Sequence, residues 1–191
     1  VLHACGAQVV LCLLVTVTIG SSKLWKRRAD YRERPLTLTT KVLGLSTCIL
    51  LSVQILIGAV IRHTHTGMAI FTFPHSTAQG EWLPTVWNWA IAGNFAPRAA
   101  AVVITLFLLG FIVQIWTSPT ARRSVGFLTP IPMVLLAAQI SLGAIVIWTR
   151  INEHASTIHV MVGAFLLASC WMLTFLCLCH PNEKRSVQLT L

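Results

Sequence analysis

This chain has little charge. Only 10% of its 191 residues are Asp, Glu, Lys or Arg, against 55% that are apolar. A soluble domain of that size would need far more polar surface to face water, so that class is excluded. Regular alternation is missing too. The apolar stretches show no period of two residues, which a membrane barrel would require. Cysteine is absent from the connecting loops. Cys5, Cys12, Cys48, Cys170, Cys177 and Cys179 all fall in apolar stretches, away from any outer loop where an oxidising compartment could pair them. They read as small packing residues, and the Cys177-x-Cys179 spacing alone is a weak metal signal. The chain opens on Val1 without the basic start of a signal peptide. It reads as a fragment whose earlier part is missing.

What is present is a set of five apolar stretches: Leu2–Gly20, Val42–Ile61, Ala99–Trp116, Leu128–Trp148 and Ser156–Cys179. Each approaches or exceeds the ~20 residues that span ~30 Å of hydrocarbon. Helix is the form expected, because lipid offers backbone groups no water to bond. The expected fold is an all-α integral membrane protein with five transmembrane helices. Four of them form a bundle of two repeated hairpins, preceded by one extra helix.

The net charge of +9 is distributed by side. Lys23, Lys26, Arg27, Arg28, Arg32, Arg34 and Lys41 lie between the first two stretches. Arg122 and Arg123 lie between the third and fourth, and Lys184 and Arg185 in the tail. Those eleven of the fourteen basic residues share one side, opposite Arg62, Arg98 and Arg150. The excess of Lys and Arg on cytoplasmic loops then sets the N-terminus outside and the C-terminus in the cytoplasm. The divisions that follow are helix 1–22, a basic cytoplasmic linker 23–41, a bundle 42–180 with an outer loop 62–98, and a cytoplasmic tail 181–191. The linker is expected on anionic lipid headgroups, and no nucleic acid is expected as a partner. Trp82, Trp87 and Trp89 in the outer loop, Trp148 at the same face, and Trp25 and Trp116 near the inner face read as interfacial belts.

The second and fourth stretches share a pattern. One ends Gln54-Ile-Leu-Ile-Gly58-Ala59, the other Gln139-Ile-Ser-Leu-Gly143-Ala144, and each then meets an outer Arg, Arg62 or Arg150. Gly-Ala lets two backbones approach, and a Gln in lipid wants an interhelical partner. The repeat implies two hairpins related by an axis along the membrane normal.

Histidine inside a membrane is costly and marks candidate function. His180 and His154 read as solvated ends. His3 and His159 lie in the first turns of the first and last stretches, both near the outer surface. A neutral imidazole facing a bundle interior can ligate haem iron. The alternative for His159 is an interfacial histidine bonded to a loop carbonyl. Arg98 opens the third stretch beside Pro97, and its fork suits a haem propionate. The alternative is a snorkelling end-cap. In the outer loop, His63, His65 and His75 could hold a metal, but no close Cys or carboxylate completes a set. A lid over the bundle, with turns at Gly67 and Pro74, is the other reading.

Several of these segments, taken in order, resemble the haem A synthase family. They are Leu56-Ile-Gly58-Ala59-Val-Ile-Arg62-His63-Thr64, then Gly67-Met-Ala69 and Phe73-Pro74, then Asn94-Phe95-Ala96-Pro97-Arg98. Gln139 to Ala144, Thr157-Ile-His159-Val-Met-Val-Gly163-Ala164, and His3-Ala-Cys5 with Ala7-Gln8 complete the set. The resemblance runs from the fourth to the eighth helix of an eight-helix protein. It implies oxidation of a ring methyl of haem O to a formyl group, giving haem A for cytochrome oxidase, in a bacterial cytoplasmic membrane. It implies a haem b in the C-terminal half, held between two histidines. His159 would be one of those ligands. The family typically has His where this chain has Pro97, so the second is lost. Arg98 and Arg62 would bind the cofactor, and His3 would belong to the haem site of an N-terminal half whose other residues lie before Val1. Implied partners are haem O, haem A, lipid, and a haem O synthase or further copies of the chain. The competing expectations are a non-enzymatic haem-binding or electron-transfer membrane protein, and an inactive fragment.

Overall fold

The computed structural model describes residues 2–23, 25, 36–64 and 66–179. Most of the basic linker, His65, His180 and the tail lie outside these residues. Helix α1 spans Leu2–Gly20, α2 Leu38–His63, α3 Trp89–Thr117, α4 Pro119–Val125, α5 Pro130–Trp148 and α6 Glu153–Leu178. A 3-10 turn, Gly126–Leu128, separates α4 from α5. The chain is an all-α, multi-pass membrane protein. Helices α2, α3, α5 and α6 are each long and apolar enough to cross a membrane, while α1 contributes a shorter apolar stretch, Gly6–Gly20. Their outer faces carry bare apolar side chains such as Leu13, Leu106, Val134 and Phe165, as lipid-facing helices require.

Side chains start the helices. Thr37, Asn88, Ser118 and Asn152 each accept a backbone N–H from the first turn that follows, which satisfies donors a helix start leaves unpaired. The Asn88 cap begins α3 ten residues before the expected Ala99, so Pro97 and Arg98 sit inside the helix rather than at its corner. Proline removes one N–H and normally ends a helix. Beside this break a glutamine of α2 donates to the Pro97 carbonyl.

Helix α2 packs along α3 and α6, α5 packs along α6, and α1 lies on α6 and more lightly on α2. The core occupies one end. Thr40, Gly44, Thr47, Cys48 and Leu51 are buried near the start of α2. Leu108, Phe111 and Ile115 near the end of α3, and Cys170, Leu173 and Thr174 in the second half of α6, lie at the same end and are fully buried. Gly44 is the point of closest approach. A Cβ there would stand 2.8 Å from Thr174 Oγ1 and 2.9 Å from Phe111 Cζ, so only glycine admits the three helices. The sulfur of Cys48 lies 3.5 Å from the Thr174 hydroxyl. Trp171 Nε1 donates to Thr16 Oγ1 at 2.9 Å and ties α1 to α6. We call this the packed end, and the other, which carries residues 64–88, the loop end. None of the last twelve residues of α2 is buried.

Candidate site at the loop end

His159 lies near the start of α6, half-buried. Its Nε2 is 3.2 Å from Gln139 Nε2 on α5. Its Nδ1 is buried with no partner among the described residues, as is Gln139 Oε1. Two tautomers satisfy the contact. With the Gln139 amide donating, Nδ1 carries the proton. With the amide reversed, Nε2–H donates to Oε1 and the Nδ1 lone pair is free. Two glycines shape this seat. A Cβ at Gly143 would lie 3.4 Å from His159 Cε1, and one at Gly163 would lie 3.1 Å from Gln139 Nε2. Sequence reasoning saw Gln139 and Gly143 as a packing motif. The structure makes them the cradle of the imidazole.

The other hairpin repeats the contact with a different partner. Gln54 Nε2 donates to the Pro97 carbonyl at 2.8 Å. A carbonyl can only accept, so the amide orientation of Gln54 is set, and its Oε1 is left buried with no partner among the described residues. Gln54 precedes the C-cap of α2, Thr64, by the same interval that separates Gln139 from Thr149, the C-cap of α5. The two glutamines are thus in register, and across the hairpin one meets the backbone of Pro97 and the other the side chain of His159. Gly58 and Gly143 each follow their glutamine by one turn, on the same helix face. A Cβ at Gly143 meets the imidazole, whereas one at Gly58 meets nothing within 4 Å.

Arg98 does not stretch to the surface as an end-cap. Its Nη1 donates to the His75 carbonyl at 3.2 Å and its Nη2 to the Ile70 carbonyl at 3.1 Å. The guanidinium lies 5.8 Å from the centroid of Phe73, and its Nε is buried without a partner among the described residues. Asn94, one turn earlier, donates to the Thr66 carbonyl at 2.8 Å. The 64–88 loop is thus fastened to α3. It also reaches the second hairpin. Trp148 Nε1 donates to the Phe73 carbonyl at 3.4 Å and its ring meets Phe73 edge-on at 6.2 Å. A Cβ at Gly67 would stand 2.7 Å from Ile151 Cδ1 in the α5–α6 turn. The loop bridges both hairpins over this end.

The remaining candidates are not gathered here. Arg62 and His63 are exposed in the last turn of α2. His75 packs its ring on Trp82 at 4.8 Å. His3 is exposed in the first turn of α1, and no hydrogen bond among the described residues joins it to His159. His154 is exposed. No group of three or more metal-ligating side chains occurs among the described residues.

The model of the COX15-CtaA family, described as cytochrome oxidase assembly protein, matches residues 1–171. The chain is 32% identical to the heme A synthase of Shouchella clausii, over 65% of this chain and 39% of that protein. It is 22% identical to the heme A synthase of Listeria monocytogenes, over 94% of this chain and 55% of that protein. The matched region is thus about half of such relatives or less. No solved structure matches.

Proposed function

The chain belongs to the COX15-CtaA family, and from that premise we propose that it serves haem A biosynthesis as a membrane protein that holds a haem at its loop end, with His159 as the axial ligand. The observation that carries this is the His159 seat. One imidazole nitrogen is held by Gln139, and the other is buried and unpartnered among the described residues. Metal-ligating histidines have that arrangement, in which a second group fixes the ring through the nitrogen that does not ligate. The seat also lies in the half of the bundle where α2 buries no side chain.

A haem held between a histidine of α3 and His159 does not fit the described residues, because Pro97 has no side-chain donor. A haem whose iron His159 would hold does fit them. Bound there, a haem would supply one-electron redox chemistry. The chain's own residues would do the rest. His159 would bind the iron in its neutral form. Gln139 would orient the ring. Arg98, with its Nε unpartnered, would pair with a propionate while its two terminal nitrogens keep the loop in place. The bridging loop would exclude water. Arg62 and His3 are proposed as outer contacts to a porphyrin, His3 toward an N-terminal half.

The finer reading is oxidation of the haem O methyl to formyl, with haem O as substrate and haem A as product. Its setting is a bacterial cytoplasmic membrane, with the loop end outside and the C-terminus in the cytoplasm. A haem O synthase or a second copy of the chain would be the neighbour that hands over substrate. Pro97 favours a second reading, in which the chain retains haem or passes electrons without catalysing the oxidation.

The test is the optical spectrum and haem content of the protein purified in mild detergent. Haem should co-purify, and His159→Ala should remove most of it, tenfold or more. Haem retained with an unchanged spectrum in His159→Ala would defeat the assignment. Haem O turnover to haem A by the wild type would then separate the two readings.

A further inference from the structure

We infer that residues 82–89 of the loop lie in the boundary between lipid headgroups and hydrocarbon, continuing the lipid-facing side of α3, while the turn at 77–80 of the same loop faces water. This way of holding the loop is independent of any haem at His159.

The loop has two limbs joined by a turn, and their surfaces differ. Residues 66–75 form the limb fastened to α3 by Asn94 and Arg98. A tight turn follows. The Gly80 N–H donates to the Thr77 carbonyl at 3.2 Å and the Ser76 N–H to the Glu81 carbonyl at 2.7 Å. The Glu81 N–H donates to Thr77 Oγ1 at 3.0 Å. Gly80 has a φ of 91°, which favours glycine. Ala78, Gln79 and Gly80 are exposed, and Glu81 beside them is the only Asp, Glu, Lys or Arg in residues 64–88. This turn has a surface suited to water.

The second limb is the reverse. Trp82, Leu83, Val86, Trp87 and Trp89 are each between 54% and 67% exposed. The limb is already seated on the protein, so these side chains face outward: Pro84 among them is buried, and the Trp87 ring meets Phe95 of α3 edge-on at 5.4 Å. Residues 82–97 hold no Asp, Glu, Lys or Arg. Five bare apolar side chains within eight residues are costly in water. Tryptophan prefers the level of the headgroups.

Continuity identifies what covers them. Trp89 opens α3, and Ala92, Ala99, Leu106 and Val113 carry its exposed side along the helix. Steps of three and seven residues keep to one helix face, and in a membrane-spanning helix lipid covers that face. Size disfavours a protein partner. A stable protein interface takes about 20–30 residues a side, and this limb offers five. Lipid on one side and α3 on the other then hold the loop over the end that carries His159.

The experiment places the full chain in phosphatidylcholine nanodiscs, with an environment-sensitive fluorescent amino acid in place of Leu83, Val86 or Gln79. All three side chains are exposed and lie outside the His159 seat. The quenchers are a lipid with a nitroxide near the top of its acyl chain, and aqueous iodide. The nitroxide lipid should at least halve the emission at 83 and 86. Iodide should quench those two positions at least fourfold less than position 79. At 79 iodide should be the stronger quencher. Equal iodide quenching at all three positions overturns the inference, because the limb would then lie in water. Shielding from iodide at 83 and 86 without quenching by the nitroxide lipid overturns it too, because protein would then cover the limb. Quenching of 79 by the nitroxide lipid as strong as at 83 and 86 would remove the contrast between turn and limb, and with it the inference.

Discussion

The two hairpins carry the same glutamine in the same place and give it different work. In α5–α6, Gln139 holds an imidazole. In α2–α3, Gln54 holds only a backbone carbonyl, at Pro97. At the packed end, the α2–α3 hairpin closes on α6 around Gly44, Phe111 and Thr174. At the loop end α2 buries no side chain, and the 64–88 loop touches both hairpins. A bundle whose buried core sits at one end can carry a ligand seat at the other without losing its fold. The asymmetry lies in one residue pair, Pro97 and His159.

Breaking the join at the packed end should cost most. Gly44→Leu would push a side chain into Thr174 Oγ1 and Phe111, both under 3 Å from the new Cβ. Overpacking of this kind costs about 2–3 kcal/mol. A lower thermal unfolding midpoint in detergent checks it, and an unchanged midpoint would mean the three helices do not meet at Gly44. The next effect sharpens the contrast between hairpins. Gln139→Leu should weaken haem binding by ~10–100-fold, as loss of a group orienting a metal ligand typically does, with little change in unfolding. Haem titration of the apoprotein reads this. The smallest effect should come from the same substitution in the other hairpin. Gln54→Leu removes an interhelical hydrogen bond worth about 0.6 kcal/mol in membrane bundles and should leave haem affinity within twofold. Equal losses of haem affinity in the two variants would erase the distinction.

Much of the fold was legible because hydrocarbon imposes a length and a composition. Leu2–Gly20 matches α1 end to end, and the other apolar stretches fall within or close to their helices. The start of α3 was not legible at Pro97, since proline reads as a helix start and the capping side chain of Asn88 lies in a loop of mixed composition. Helix α4 was missed although Ser118-Pro119, a cap followed by proline at the first helical position, was its signal. The repeat pointed to Gln54 and Gln139 as residues needing partners. It could not say which partners, because that depends on how each helix is rotated about its axis. The Arg98 bonds to the carbonyls of Ile70 and His75 span more than twenty residues, and nothing in local pattern reports them.

The claim that Pro97 stands where a second imidazole would be is tested most directly by Pro97→His. The electron paramagnetic resonance spectrum of the ferric haem protein, wild type against variant and without added imidazole, reads the number of axial nitrogens. The expected result is a high-spin signal in the wild type and a low-spin, two-imidazole signal in Pro97→His. Identical spectra for the two proteins would contradict the placement of the haem between the two hairpins.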